Sequence, residues 1–339
     1  MRNPLARDLD HVLAHTAGVW EELRRARIFL TGGTGFFGCW LLESFAAAYD
    51  RWDLDASVTV LTRSPEAFRT KAPHLAGHPG IELLRGDVQT FSFPGGRFTH
   101  VVHAATEASA QVSRDEPRRM RQTIVEGTRR TLELAVSAGA ERVLLTSSGA
   151  VCGDWDPGDP RAIYAEGKRA AEELCRSYAQ QHGIACPIAR GFAFVGPYQA
   201  LTIHYAIGNF IGDCLASRAI EIHGDGTPYR SYLYAADLAI WLWTILARGD
   251  SRPYNVGSER AVAIADLAVT VAQVLGRMVP IRVARIPVAG ATAERYVPDT
   301  SHTRTELGLD EWIPLEEAIR RTAEWHSPAG ALTRGAGRP

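Results

Sequence analysis

Tyr164 and Lys168 stand four residues apart in Tyr-Ala-Glu-Gly-Lys, at the start of a stretch with helical spacing. On a helix, residues four apart share one face, one turn from each other. An ammonium beside a phenol favours the phenolate and lowers its pKa, so a tyrosine placed this way can exchange a proton near neutrality. Upstream, Leu144 and Leu145 run into three hydroxyls, Thr146, Ser147 and Ser148, and then into Gly149, Ala150, Val151, Cys152 and Gly153. One of the hydroxyls could share a proton with the phenol. The stretch alone does not say which, and no acid follows at Gly149 or Ala150.

Tyr-x-x-x-Lys arises by chance in many helices, so its meaning depends on the elements around it. Those elements alternate. Residues 27–31, 57–62, 81–87, 100–105 and 142–148 are short apolar runs that read as strands, separated by helical patterns at 36–50, 124–140 and 163–183. Such alternation predicts an α/β fold, a Rossmann-type doubly wound parallel sheet covered by helices on both faces. The rhythm weakens after residue 197 and returns at 235–246 and 253–258, which suggests a smaller C-terminal lobe interleaved with the end of the sheet. The expected organisation is an N-terminal helical extension (1–26), with Leu9, Val12, Leu13, Val19, Trp20 and Leu23 near helical spacing in one or two short helices. A dinucleotide-binding domain (27–193 and 231–258), a substrate lobe (194–230 and 259–326) and a flexible Gly/Pro/Ala-rich tail (327–339) follow. Trp241 and Trp243 lie on an apolar helix and read as core.

Gly32, Gly35 and Gly38 fall directly between the first strand and the first following helix. In that setting the triplet is a dinucleotide fingerprint: a tight turn, a close approach to pyrophosphate, and close helix–strand packing, with the helix N-terminus facing the phosphates. The end of the second strand normally reads the adenosine ribose, an acid choosing NAD and an arginine NADP. Thr62, Arg63 and Ser64 stand there without an acid, and two hydroxyls with a guanidinium suit a phosphate dianion. The expected cofactor is therefore NAD(P), with NADP favoured and NAD the other candidate.

Composition narrows the class. The chain has 339 residues, 46% hydrophobic and 22% charged, with a formal net charge of −1. That is an ordinary globular balance with no pull toward nucleic acid. Five cysteines without Cys-x-x-Cys spacing argue against a disulfide framework or a zinc site, no metal is expected, and the usage fits a reducing cytoplasm. Acids in Ala6–Leu13 argue against a signal peptide, and no apolar run is long enough to span a bilayer.

Together Gly32–Gly38, Gly86-Asp87-Val88, His103-Ala104-Ala105-Thr106, Thr146-Ser147-Ser148, Tyr164 with Lys168, and the stretches 224–239 and 307–325 resemble the extended short-chain dehydrogenase/reductases. Within these the chain resembles the NAD-dependent epimerase/dehydratase group, which acts on nucleotide sugars, over roughly residues 27–326. The resemblance implies a nucleotide-diphosphate sugar as substrate, hydride transfer at a sugar carbon, and a homodimer formed through the helix that carries Tyr164. Tyr164 would be the base and acid on the sugar hydroxyl. Lys168 would hold the nicotinamide ribose and keep Tyr164 acidic. Phe36, Phe37, Ala104, Ala105 and Thr106 would line the cofactor, and Asp87 with Val88 would contact adenine. In this family the catalytic hydroxyl lies five residues before the closing glycine, which makes it Ser148, leaving Thr146 and Ser147 as locally satisfied hydroxyls. Arg230 and Arg295 match arginines that grip the pyrophosphate, and Asn209 matches an asparagine on the nucleotide. His204 and His223 lie nearby but read as structural.

Departures from the family pattern bear on the reaction. 4,6-Dehydratases carry Asp-Glu at the positions of Gly149 and Ala150, so dehydration is disfavoured. UDP-glucuronate decarboxylases carry a glutamate at Ala150, yet 160–172 and 224–234 look much like theirs. A 4-epimerase needs least. The expected order is 4-epimerase, decarboxylase, 4-ketoreductase, with a dinucleotide-binding sensor as the non-enzymatic alternative. Cys152, Ala193 and Ile124 also depart from the pattern, replacing a tyrosine and two asparagines.

Overall fold

Near-continuous apolar runs in short parallel strands, whose successive side chains point to opposite faces, give a sheet with two buried faces. The computed structural model describes residues 3–106, 116–156, 159–202, 205–288 and 290–327. In chain order the first half comprises α1 (Ala6–Glu22), β1 (Arg27–Thr31), α2 (Phe36–Trp52), β2 (Ser57–Thr62), α3 (Pro65–Lys71), α4 (Pro73–Ala76), β3 (Ile81–Arg85), β4 (His100–His103), α5 (Pro117–Ser137) and β5 (Arg142–Ser148). A 3-10 turn (Gly149–Cys152), α6 (Pro160–His182) and β6 (Ile188–Gly191) follow. The second half comprises β7 (Phe194–Val195), α7 (Ala206–Leu215), β8 (Ile220–Ile222), β9 (Tyr229–Arg230), β10 (Leu233–Tyr234), α8 (Ala235–Arg248) and β11 (Pro253–Val256). It ends with β12 (Val262–Ala263), α9 (Ile264–Val274), β13 (Ile281–Val283), β14 (Arg295–Tyr296), α10 (Ser301–Leu307) and α11 (Leu315–His326).

Seven strands form one parallel sheet in the order β11-β6-β5-β4-β1-β2-β3. The winding direction reverses between β1 and β4, and in open α/β sheets ligands settle outside the strand C-termini at such a switch point. Phe29, Val101, Val143 and Leu145 face the layer of α5 and α6, whereas Ile28, Leu30, Val58 and Leu144 face the layer of α1, α2 and α8. Both tryptophans of the Trp-Leu-Trp run are buried on α8.

The N-terminal segment carries one 17-residue helix, α1. Trp20 packs 4.8 Å from Trp243 and 6.3 Å from Phe45. Asp8 accepts from the Tyr234 hydroxyl at 2.8 Å and pairs with Arg321 of α11, and His11 meets the buried Asp237 at 2.8 Å. The helix therefore joins the sheet's helical layer to α11. Three small sheets stand apart from the main one, β10-β7, β12-β9-β14 and β13-β8. No helix among the described residues is long and apolar enough to cross a membrane. The expected tail, apart from Ser327, lies outside the described residues, as does His204.

Candidate active site

The glycine loop sits at the switch point. Gly32 has φ +74°, and a Cβ there would lie 2.4 Å from the Ala104 carbonyl carbon and oxygen. Gly38 lets α2 close onto the loop, since a Cβ would fall 2.3 Å from Gly33 Cα. Gly35 differs: a Cβ there would meet only the Gly32 carbonyl oxygen, at 3.3 Å, so the loop's outer face is open. Gly35 is also the N-cap of α2 and supplies no side-chain cap. The first N–H groups of α2 thus have no capping side chain of their own, as a pyrophosphate site requires. These features fit a dinucleotide, with Gly32, Gly35 and Gly38 as its phosphate cradle. Phe37 packs edge-on to Phe194 at 5.1 Å, and Phe36 is half-buried beside it.

The facing wall is held by His103. Its Nδ1 lies 2.8 Å from Thr31 Oγ1 and 3.2 Å from Thr131 Oγ1, and its Nε2 lies 3.1 Å from Thr128 Oγ1. Burial pushes the imidazole down to about 3, so it is a neutral structural ring. Thr31 Oγ1 also accepts from the Ala105 N–H at 3.2 Å, and this fixes Ala104, Ala105 and Thr106 against the glycine loop.

Thr106 leads to Lys168 and the candidate catalytic residues. Lys168, buried on α6, donates to Thr106 Oγ1 at 2.6 Å and to the Thr146 carbonyl at 2.8 Å. Two of its three donors are used, which leaves one for a ribose hydroxyl. Burial pushes the ammonium down to about 8, opposed by the Glu172 carboxylate one turn along α6, so the charge is largely retained at neutral pH. Ser148 Oγ, at the end of β5, accepts from the Ala150 N–H at 3.2 Å. Burial raises the Tyr164 phenol well above its ordinary value, and the Ser148 hydroxyl opposes that rise. The Lys168 ammonium lies 5.9 Å from the Tyr164 ring centroid, and its donors go to Thr106 and Thr146.

The other two hydroxyls are engaged elsewhere. Thr146 Oγ1 donates to the His103 carbonyl at 3.1 Å, and Ser147 Oγ donates to Glu172 at 2.6 Å. Glu172 is fully buried and takes two bonds from Arg190, at 2.9 and 2.6 Å. Arg190 also reaches Cys152 Sγ at 3.8 Å. Glu172 and Arg190 escaped the sequence reading, although a glutamate four residues after Lys168 on the same helix is a visible signal.

At the adenosine end, Thr62 Oγ1 accepts from the Ser64 N–H at 3.3 Å, and Ser64 Oγ caps α3 through the Ala67 N–H at 3.4 Å. Both hydroxyls therefore have local partners. The Arg63 side chain is exposed and makes no hydrogen bond or ion pair to another described residue. Asp87 closes its own turn by accepting from the Gln89 N–H at 2.9 Å, and Val88 packs against Gly127.

β9 and β14 lie over Ser148. Tyr296 is opposite Arg230 and Arg295 is opposite Tyr229. Successive strand residues face opposite ways, so Arg230 and Tyr296 share the face toward Ser148 and Arg295 lies on the other. Arg295, expected beside Arg230, is exposed, with its guanidinium 5.8 Å from the Tyr229 ring. Arg230 donates to Glu294 at 3.0 Å, and Arg161 at the start of α6 reaches the same carboxylate at 2.7 Å. Glu294 is partly exposed, so this pairing is weak and exchangeable for a diphosphate. Asn209 is half-buried on α7, and His223 is exposed. Tyr296, whose hydroxyl lies 3.5 Å from Ser148 Oγ, was not singled out in the sequence.

A doubly wound sheet, a glycine cradle at its switch point and a Ser-Tyr-Lys set beside it define a Rossmann-type extended short-chain dehydrogenase/reductase. The chain belongs to the NAD dependent epimerase/dehydratase family, whose model matches residues 28–257. It is similar to UDP-glucuronic acid decarboxylase 1 of Danio rerio, 30% identical over 321 residues, covering 91% of this chain and 74% of the relative. UDP-glucuronic acid decarboxylase 3 of Arabidopsis thaliana is 30% identical over 306 residues, 86% of each chain. Among solved structures, UDP-glucose 4-epimerase of Thermotoga maritima with UDP-glucose has a TM-score of 0.75 at 21% identity, over 90% of this chain and 99% of that one. A double mutant of the dTDP-glucose 4,6-dehydratase DesIV of Streptomyces venezuelae, with NAD bound, has a TM-score of 0.75 at 24% identity, over 90% and 98%. The family is one of NAD-dependent enzymes that modify nucleotide sugars.

Proposed function

We propose that this protein oxidises and re-reduces C4 of a nucleotide-diphosphate sugar through a 4-keto intermediate, as a 4-epimerase. One observation carries the reading: Ser148, Tyr164 and Lys168 converge beside the cradle, while the turn after Ser148 is Gly149-Ala150-Val151-Cys152 and carries no carboxylate. Elimination of water across C5 and C6 needs an acid and a base at the sugar, and this turn supplies neither. The bound dinucleotide supplies the hydride acceptor and donor. Tyr164 takes the proton from the C4 hydroxyl and returns it. Ser148 hydrogen-bonds the same oxygen, and Lys168 orients the ribose and adds positive charge.

A second reading, decarboxylation, is favoured by the 30% identity to UDP-glucuronic acid decarboxylases. Oxidation at C4 of a hexuronic acid gives a β-keto acid, which loses CO₂ readily, so the same three residues would begin that reaction too. UDP-glucuronate with NAD(P)⁺ separates the readings. Epimerisation gives a product of unchanged mass with an inverted C4 proton coupling. Decarboxylation gives a lighter pentose product and CO₂. Loss of water would overturn both.

The cofactor preference proposed here is NADP. Arg63→Ala is expected to weaken NADP roughly tenfold or more, the order of one charge-assisted contact to a phosphate, and to leave NAD nearly unchanged. Equal weakening in paired titrations would mean that Arg63 does not read a 2′-phosphate. The proposed assembly is a homodimer through α6.

A further inference from the structure

Tyr296 lies near Ser148 and has no role so far. Its hydroxyl lies 3.5 Å from Ser148 Oγ, long for a hydroxyl pair but ordinary for a catalytic contact before substrate tightens it. Its ring packs 4.9 Å from Phe192 and lies under the Arg230 guanidinium at 5.9 Å. The Phe192 ring fills the space over Gly149, where a Cβ would come within 2.6 Å of it. A methyl at 149 would thus push on the aromatic ring that backs Tyr296.

The hydrogen-bond count at Ser148 gives Tyr296 a purpose. A serine hydroxyl has one proton and two lone pairs. One lone pair takes the Ala150 N–H at 3.2 Å. A phenol is a stronger acid than an aliphatic alcohol, so between Tyr296 and Ser148 the phenol is the better donor. Burial pushes Tyr296 up to about 12, so it keeps its proton through the working range of pH. With both lone pairs filled, Ser148 has only its own proton left to give. The Tyr164 hydroxyl interacts with the Ser148 side chain and can take that proton, as can the sugar hydroxyl that Tyr164 serves.

We propose that Tyr296 is a positioning residue that makes Ser148 an obligate donor, so that Ser148 stabilises the Tyr164 phenolate that then takes the sugar proton. This rests on the assignment of Ser148 and Tyr164 as the proton-handling pair. The substrate lobe thereby completes the chemistry of the sheet, through a phenol in place of the acids absent at 149 and 150.

The test needs no substrate at first. In protein with tyrosine heavy-carbon-labelled at Cζ, the Tyr164 resonance, assigned with Tyr164→Phe, should move in Tyr296→Phe. It should move no further when Tyr296→Phe is added to Ser148→Ala. Gly149→Ala, which crowds Phe192, should move it in the same direction as Tyr296→Phe and keeps the test open if that variant misfolds. In turnover with UDP-glucuronate, Tyr296→Phe should lower kcat roughly tenfold, the order expected of one hydrogen bond to a charged group, with KM little changed and the acid limb of the kcat profile shifted to higher pH. An unmoved Tyr164 resonance, or a shift that persists at full size without Ser148, overturns the proposal. A moved resonance without any turnover of a nucleotide sugar supports it and counts against the proposed reaction alone.

Discussion

Tyr164→Phe is expected to lower turnover about 10²-fold or more, because a positioned general acid or base contributes on that order. The substitution removes one oxygen and keeps the ring, so the half-buried packing of Tyr164 on α6 survives. Cofactor affinity should change little, since the Lys168 bonds to Thr106 Oγ1 and the Thr146 carbonyl do not involve the phenol. The expected signature is a collapse of kcat with intact NAD(P)H fluorescence titration. Turnover near that of the native protein would remove Tyr164 from the chemistry.

Gly32→Ala should be nearly as damaging, through a different route. The left-handed conformation at φ +74° costs an L-residue about 1–2 kcal/mol. The added methyl also falls 2.4 Å from Ala104 C and O and 2.6 Å from Ala105 N, all backbone atoms that cannot rotate away. The 104–106 wall must retreat, and Thr106 is the residue that holds Lys168. Losing one or two charge-assisted contacts to the phosphates, about 1.5–3 kcal/mol each, predicts cofactor binding weakened roughly 10²-fold or more. Titration of NAD(P)H fluorescence, with circular dichroism to confirm folding, measures it. A folded variant binding within threefold of the native protein would mean that the loop is not the cradle.

Much of this was legible in the chain because local patterns carried it. Apolar runs between glycine-rich turns announced the strands, and Gly32, Gly35 and Gly38 announced the loop at the switch point. Tyr296 was not legible. Its strand, β14, has two residues, too short for a period-two pattern to reveal which one faces the sheet. Arg295 attracted notice because of its charge, whereas pairing with β9 places Tyr296 opposite Arg230 and turns Arg295 away. Helix α1 showed its apolar spacing, but not that Trp20 would lie in the core against Trp243, a contact spanning most of the sequence. The state of Lys168 was also hidden, since its partners Thr106 and Thr146 come from the ends of other strands.

The central claim is that hydride leaves and returns at C4. UDP-glucuronate carrying deuterium at C4, incubated with the protein and NAD(P)⁺ and followed by mass spectrometry and proton NMR, tests it most directly. Deuterium retained at C4 of an epimerised or decarboxylated product, with a primary isotope effect that disappears together with turnover in Tyr164→Phe, is the predicted result. Product that forms with its C4 deuterium retained and no isotope effect, or with the label lost to solvent, would contradict it.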